Sequence, residues 1–161
     1  MIRGSCLCGA VQFELTKAVG PFEICHCNRC RKTSGTAGMA ALGVLSSDYR
    51  MTTGVEYIRV YTAPILYEAP AYEVCFCSIC GSPTPPIDPP DDFFEIPAGL
   101  LDDDPGLKPD KHIFVDFTPD WDVVSDKLPQ LTLKELYLSR HGKALPDDFE
   151  VKTHQDGMRT K

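Results

Sequence analysis

At 161 residues, 43% of them hydrophobic, the chain is long enough for one well-buried core and too short for two independent ones. Its 23 acidic side chains against 16 lysines and arginines leave a net charge of −7, which argues against duplex nucleic acid as a general partner. Met1-Ile2-Arg3-Gly4-Ser5 runs into a cysteine motif with no apolar leader, so eight cysteines point to a reducing, cytoplasmic compartment, to metal, and to no membrane span.

Fourteen prolines and 12 glycines favour short strands and turns, a mainly β chain. In residues 11–15, Val11, Phe13 and Leu15 alternate with Gln12 and Glu14, the mark of a half-buried strand. Residues 28–34 predict a short helix or turn, and residues 39–45 an apolar strand. Residues 55–61 are rich in β-branched and aromatic side chains and predict another strand. Residues 67–76 predict a further strand, with Pro70 marking an edge or a bulge. Five prolines within residues 83–90 break regular structure, and the acids of residues 88–104 predict a solvated, hairpin-bearing surface. Residues 111–117 read as the clearest late strand. Leu133, Leu136 and Tyr137 have helical spacing within residues 132–140, fitting intrachain packing or a contact in a homodimer. Tyr61, Phe114 and Trp121 are candidates for a pocket wall or for the core. Residues 1–150 are expected to form a single zinc-binding domain, and residues 151–161 a flexible, frayed or extended tail.

The cysteines divide into two groups of different geometry. Cys6-Leu7-Cys8-Gly9 and Cys77-Ser78-Ile79-Cys80-Gly81 are two half-sites, roughly 70 residues apart and each closed by a glycine. Together they offer a filled four-thiolate zinc site, which supports a fold. A sharp turn after the second cysteine lets backbone N–H groups reach the sulfurs, and glycine makes that turn without steric cost. Disulfides or scattered buried thiols are the alternative. Cys25-His26-Cys27-Asn28-Arg29-Cys30 is a tight trio, followed at once by Arg31-Lys32. Three thiolates leave one coordination position of a second zinc for water or substrate, the arrangement of a catalytic site. Completion by Cys75 or His112 would make it structural instead. His26, between two ligands, is expected to turn away. Arg29, Arg31 and Lys32 are candidate binders of a substrate carboxylate, or merely solvated bases. Cys75 lies two residues before Cys77 and on the same strand face, as a buried small side chain or a stand-in ligand.

The ordered motifs Gly4-Ser5-Cys6-Leu7-Cys8-Gly9-Ala10-Val11, Cys25-His26-Cys27-Asn28-Arg29-Cys30-Arg31-Lys32 and Phe76-Cys77-Ser78-Ile79-Cys80-Gly81 resemble the glutathione-dependent formaldehyde-activating (GFA, or centromere-protein-V/GFA) family. Ile96-Pro97-Ala98-Gly99-Leu100-Leu101-Asp102-Asp103, His112-Ile113-Phe114-Val115 and Trp121 look like its second half. The resemblance covers residues 3–130. It implies a β-tent fold of short antiparallel sheets stapled by zinc, shared with small guanine-nucleotide-exchange chaperones and translationally controlled proteins. It also implies a structural zinc on Cys6, Cys8, Cys77 and Cys80 and a catalytic zinc on Cys25, Cys27 and Cys30. The implied activity is condensation of formaldehyde with glutathione to S-hydroxymethylglutathione, formally a carbon–sulfur lyase run in reverse. Relatives often carry a basic residue just ahead of the Phe-Cys, where this chain has Val74-Cys75, and a lysine shortly before the tryptophan, where it has Thr118-Pro119-Asp120. Either loss would weaken an anion site. A small thiol such as glutathione is the expected partner; the competing expectation is a non-catalytic zinc scaffold for protein interaction.

Overall fold

Short strands and tight turns alternate along the described chain, residues 1–89 and 91–159 of a computed structural model. In order, β1 (Ile2–Ser5) and β2 (Gln12–Leu15) form a hairpin, and β3 (Phe22–Cys25) leads into the helix α1 (Asn28–Ser34). Next come β4 (Met39–Leu45), β5 (Tyr49–Thr53), β6 (Ile58–Thr62), β7 (Glu73–Cys77), β8 (Pro83–Thr84) and β9 (Phe93–Pro97). The chain then forms β10 (Lys111–Ile113), β11 (Gln130–Leu131), α2 (Leu133–His141) and α3 (His154–Arg159).

Three sheets result: β1-β2-β5, β11-β10-β3-β4-β9 and β6-β7-β8. The pairings are antiparallel except around β10, which runs parallel to both β3 and β11. β4 is central and covered on both sides, which explains its unbroken apolar run; Ala41, Leu42 and Val44 are all buried. Phe13, Leu15, Leu42, Val44 and Ile96 form one core cluster between the first two sheets. Burying each such large side chain stabilises by roughly 1.5–3 kcal/mol. A second cluster surrounds the cysteine trio, and a third joins Cys6, Val11, Ile58 and Cys77.

The strand alternation of residues 11–15, the helix of residues 28–34 and the strand of residues 39–45 stand where the sequence puts them. Elsewhere tertiary geometry shortens the strands. Residues 55–61 are strand only from Ile58, because Gly54 takes a left-handed φ of 84° and Val55–Tyr57 make a 3-10 turn. A side chain at Gly54 would run into the Ala10 carbonyl, so this turn packs tightly on the first hairpin. Residues 67–76 are strand only from Glu73; before it the chain turns inward and buries Leu66 and Tyr67. Residues 111–117 are strand only to Ile113, because Phe114 adopts φ 57°, ψ 40° and Val115–Phe117 form a 3-10 turn. That kink brings Phe114 and Phe117 against Tyr67, with ring centroids 5.3 and 5.2 Å away.

The acidic stretch of residues 88–104 is also more ordered than a solvated hairpin. β9 within it pairs with β4 and buries Ile96 completely, while Asp102 and Asp103 tie down Ser5 and Arg3. Trp121 is neither core nor pocket wall, being 74% exposed. α2 turns Leu133 and Leu136 into the trio's own cluster, which is the packing alternative for that helix. Beyond residue 150 the chain contains α3, and the Lys152 N–H donates to the Leu66 carbonyl at 2.9 Å. Thr160 and Lys161 lie outside the described residues.

Candidate metal centres

The first centre is assembled from two turns on different sheets. Cys6 and Cys8 sit in the β1–β2 turn; Cys77 ends β7 and Cys80 lies in the turn toward β8. Gly9 and Gly81 both take left-handed φ values, 74° and 76°, as the turn after each pair requires. Their N–H groups bond the carbonyls of Cys6 and Cys77 at 2.9 and 2.8 Å, while the Val11 N–H donates to the Cys6 sulfur at 3.3 Å. The four sulfurs lie within 4.8 Å of one another, with Cys6–Cys8 at 3.5 Å and Cys8–Cys77 at 3.9 Å. A tetrahedral zinc with Zn–S bonds of about 2.3 Å sets sulfurs about 3.8 Å apart, so this donor set fits the ion. Ser82 donates from its hydroxyl and its N–H to Cys80, pulling that thiol down to about 5, and its Oγ accepts the Leu7 N–H at 3.1 Å. Cys75 is no part of this group; it is half-buried on β7 and packs against the cluster of Cys6, Val11, Ile58 and Cys77.

The second centre stands where β3 gives way to α1. Cys25 ends β3, with Met39 of β4 and Ile113 of β10 opposite it. Cys27 caps α1, its sulfur accepting the Cys30 N–H at 3.4 Å, and Cys30 lies one turn in. Their sulfurs also converge within 4.8 Å, and all three residues are buried, 5%, 2% and 7% exposed. The hydrogen bonds of Cys25 and Cys30 pull the Cys27 thiol far below its ordinary value, with the Cys30 N–H and the Arg29 charge helping against burial. The same contacts, Cys27 first, push Cys25 up. This set fits a three-thiolate zinc. Among the described residues no fourth cysteine, histidine or carboxylate joins the group.

His26 turns away, as alternation along an extended segment requires when Cys25 and Cys27 share a face. Its Nδ1 lies 3.1 Å from the Ala37 carbonyl and its Nε2 2.8 Å from His112 Nδ1. His112 Nε2 in turn lies 2.9 Å from Asp126 Oδ2, which accounts for His112 without a place on the metal. Burial, and then His112, hold His26 below its ordinary value, with Asp126 at the far end of the line. The contact with His112 holds that carboxyl below its usual range.

The basic residues after the trio diverge. The Arg29 guanidinium lies 4.9 Å from the ring centroids of both Tyr67 and Tyr72, held between two aromatic faces. Its Nε is buried with no hydrogen-bond partner. Arg29 and Lys32 line a 430 Å³ cavity with Tyr61, Tyr72, Phe76 and His154, and no residue lining it is acidic. Arg31 is not in that lining; it donates to Asn28 Oδ1 at 2.6 Å. Phe114 is packed on the trio's cluster, and Tyr61 is on the cavity wall. Tyr67, Tyr72, Asp126 and His154 are functional candidates that sequence reasoning misses. They meet the motif only through folds of chain that carry no periodic or spacing signal.

Residues 1–117 match the family "Glutathione-dependent formaldehyde-activating enzyme", and the chain belongs to that family. A relative from Halomonas elongata, named "putative glutathione-dependent formaldehyde-activating enzyme", is 34% identical over 124 residues, covering 75% of this chain and 79% of its own. A crystal structure of a Rhodobacter sphaeroides protein aligns with 80% of this chain and 98% of its own, at a TM-score of 0.47 and 21% identity.

Proposed function

We propose that residues 1–150 act as one unit that adds a small acidic thiol of the glutathione class to a small aldehyde such as formaldehyde, or reverses that addition. The observation that carries this reading is the convergence of Cys25, Cys27 and Cys30 with no fourth ligand among the described residues, beside an Arg29 whose buried Nε has no hydrogen-bond partner among them. Those three sulfurs would hold zinc, which would supply a Lewis acid there. The same ion on Cys6, Cys8, Cys77 and Cys80 is structural. In the addition, a sulfur–carbon bond forms at the carbonyl carbon, the C=O π pair moves to oxygen, and the thiol proton ends on that oxygen. No oxidant or reductant is consumed.

The chain's side chains bind and screen. Arg29 and Lys32 take the carboxylates of the thiol; Arg31, turned to Asn28, does not. Tyr67 accepts the Asn28 N–H at 2.9 Å, and burial raises its phenol, so it keeps an O–H to donate beside the sulfurs. Leu66, Phe114 and Phe117 keep water from the three thiolates. The family membership and the relative's name favour glutathione and formaldehyde as the pair.

One observation favours a second reading, a non-catalytic zinc scaffold. The trio is packed among Leu66, Tyr67, Ile113, Leu133 and Leu136 as tightly as a structural site would be. Metal content per chain, measured with glutathione competition, separates the two. The catalytic reading expects two zincs, one of them perturbed by glutathione, and adduct formation above the spontaneous rate. Two zincs indifferent to glutathione would replace it with the scaffold.

A further inference from the structure

A hydrogen-bonded line runs from the trio's turn to the surface, and neither metal centre uses it as a ligand. Cys25 and Cys27 are separated by a single residue, so the direction of both sulfurs depends on how the His26 peptide is held. That residue is fixed at three points: its N–H donates to the Ile113 carbonyl at 3.0 Å, its Nδ1 meets the Ala37 carbonyl and its Nε2 meets His112. His26 and His112 are buried at 3% and 4% exposure, with ring centroids 5.1 Å apart. At the outer end, Asp126 holds His112 through Oδ2 and accepts the Leu128 N–H at 3.0 Å through Oδ1, which stiffens its own loop. On the inner side the fit is close: a Cβ at Gly38 would stand 2.9 Å from Ile24 Cγ2, 3.0 Å from His26 Cε1 and 3.2 Å from its Nδ1.

We propose that His26, His112 and Asp126 are positioning residues that set the turn presenting Cys25 and Cys27, and so control how firmly the trio holds its metal. A ring restrained at both nitrogens cannot swing, and neither can the backbone that carries it between the two sulfurs. Loss of an outer-shell partner that orients a ligand typically costs 10–100-fold in metal affinity. The line acts on one centre alone, because the four-cysteine site draws on other turns in other sheets. It does not rest on the proposed reaction, since a scaffold would need the same support.

The test is the rate of zinc transfer from the intact, metal-loaded chain to a chromogenic chelator, read beside the thermal midpoint. Cys30→Ser, which removes a trio ligand, identifies the trio's phase. His112→Gln and Asp126→Ala are expected to speed that phase about tenfold or more and leave the four-cysteine phase unchanged. Asp126→Asn, whose amide oxygen still accepts, restores most of the wild-type rate. Asp126 is surface-placed, so its variants read the line if His112→Gln does not fold. The proposal is overturned by variants that release trio zinc at the wild-type rate, or by both phases accelerating together with a fallen midpoint. A wild-type chain with a single metal, unaffected by Cys30→Ser, overturns it too.

Discussion

Arg29 carries more of the site than the residues beside it. A guanidinium between Tyr67 and Tyr72 has its orientation fixed before any ligand arrives, so little rotamer entropy is lost when a carboxylate binds. Charge-assisted hydrogen bonds are worth about 1.5–3 kcal/mol each, which is roughly 10–100-fold in affinity. Arg29→Ala is therefore expected to weaken glutathione's effect on the trio's metal by at least about tenfold. Arg31→Ala, removing a side chain turned to Asn28, should leave it within about twofold, since that side chain makes no bond to a ligand. A titration of each variant with glutathione, following the metal, checks both. Equal losses would mean that the cavity lined by Arg29 is not where the thiol's carboxylates sit. Arg29→Lys should behave like the alanine variant, because an ammonium neither stacks between two rings nor forks.

At the scale of elements, α2 decides how well the trio is covered. Thr132 caps it: the Thr132 hydroxyl bonds the Glu135 N–H, and the Glu135 carboxylate reaches back to the Thr132 N–H at 2.8 Å. Arg140 near its other end reaches Glu23, a 2%-exposed carboxylate on β3 that Lys111 also holds. The helix thus closes over Cys25 and Cys27 by Leu133 and Leu136 and is pinned at both ends. Thr132→Ala should cost about 1 kcal/mol, measured as a shift in denaturant midpoint. The capping bonds, first from the Thr132 backbone, hold Glu135 below its ordinary value. A depressed folded value means its stabilisation is present above the ordinary Glu range and is lost as pH falls through the folded one. The Thr132→Ala deficit should accordingly shrink in acid, and a deficit constant from neutral to strongly acidic pH would contradict this origin. Leu136→Ala, opening a cavity beside the sulfurs, is expected to cost about 2–5 kcal/mol.

For the whole molecule, the two centres differ in what they join. Cys6 and Cys8 belong to the first sheet's hairpin and Cys77 and Cys80 to the third sheet's, so a metal held there would close a loop of 69 residues between Cys8 and Cys77. The trio spans six residues, Cys25 to Cys30, and closes almost nothing. Binding energy at a site that exists only in the folded chain is folding energy. Cys80→Ser should therefore lower the thermal midpoint far more than Cys30→Ser, which should chiefly abolish the response to glutathione. Calorimetry of the two variants with metal content measured alongside decides this. Equal losses would assign the trio a structural role and favour the scaffold. Among the described residues no helix is long and apolar enough to cross a membrane.

The sequence by itself determined both cysteine groups, because cysteine spacing within a motif is local. It also determined the turns at Gly9 and Gly81, the helix Asn28–Ser34 and the strand Met39–Leu45, where hydrophobic pattern and backbone preference agree. Only the tertiary structure decided which basic residue faces the cavity. Arg29, Arg31 and Lys32 are neighbours on one short helix, and their directions depend on Tyr67, Tyr72 and Asn28. It likewise decided that Phe114 would leave its strand and that His112 would bond His26 rather than a metal. Those outcomes turn on pairs 38 to 86 residues apart in the chain, Arg29 with Tyr67 and His26 with His112. At such separations no period or spacing records who meets whom, and packing of the finished core makes the choice.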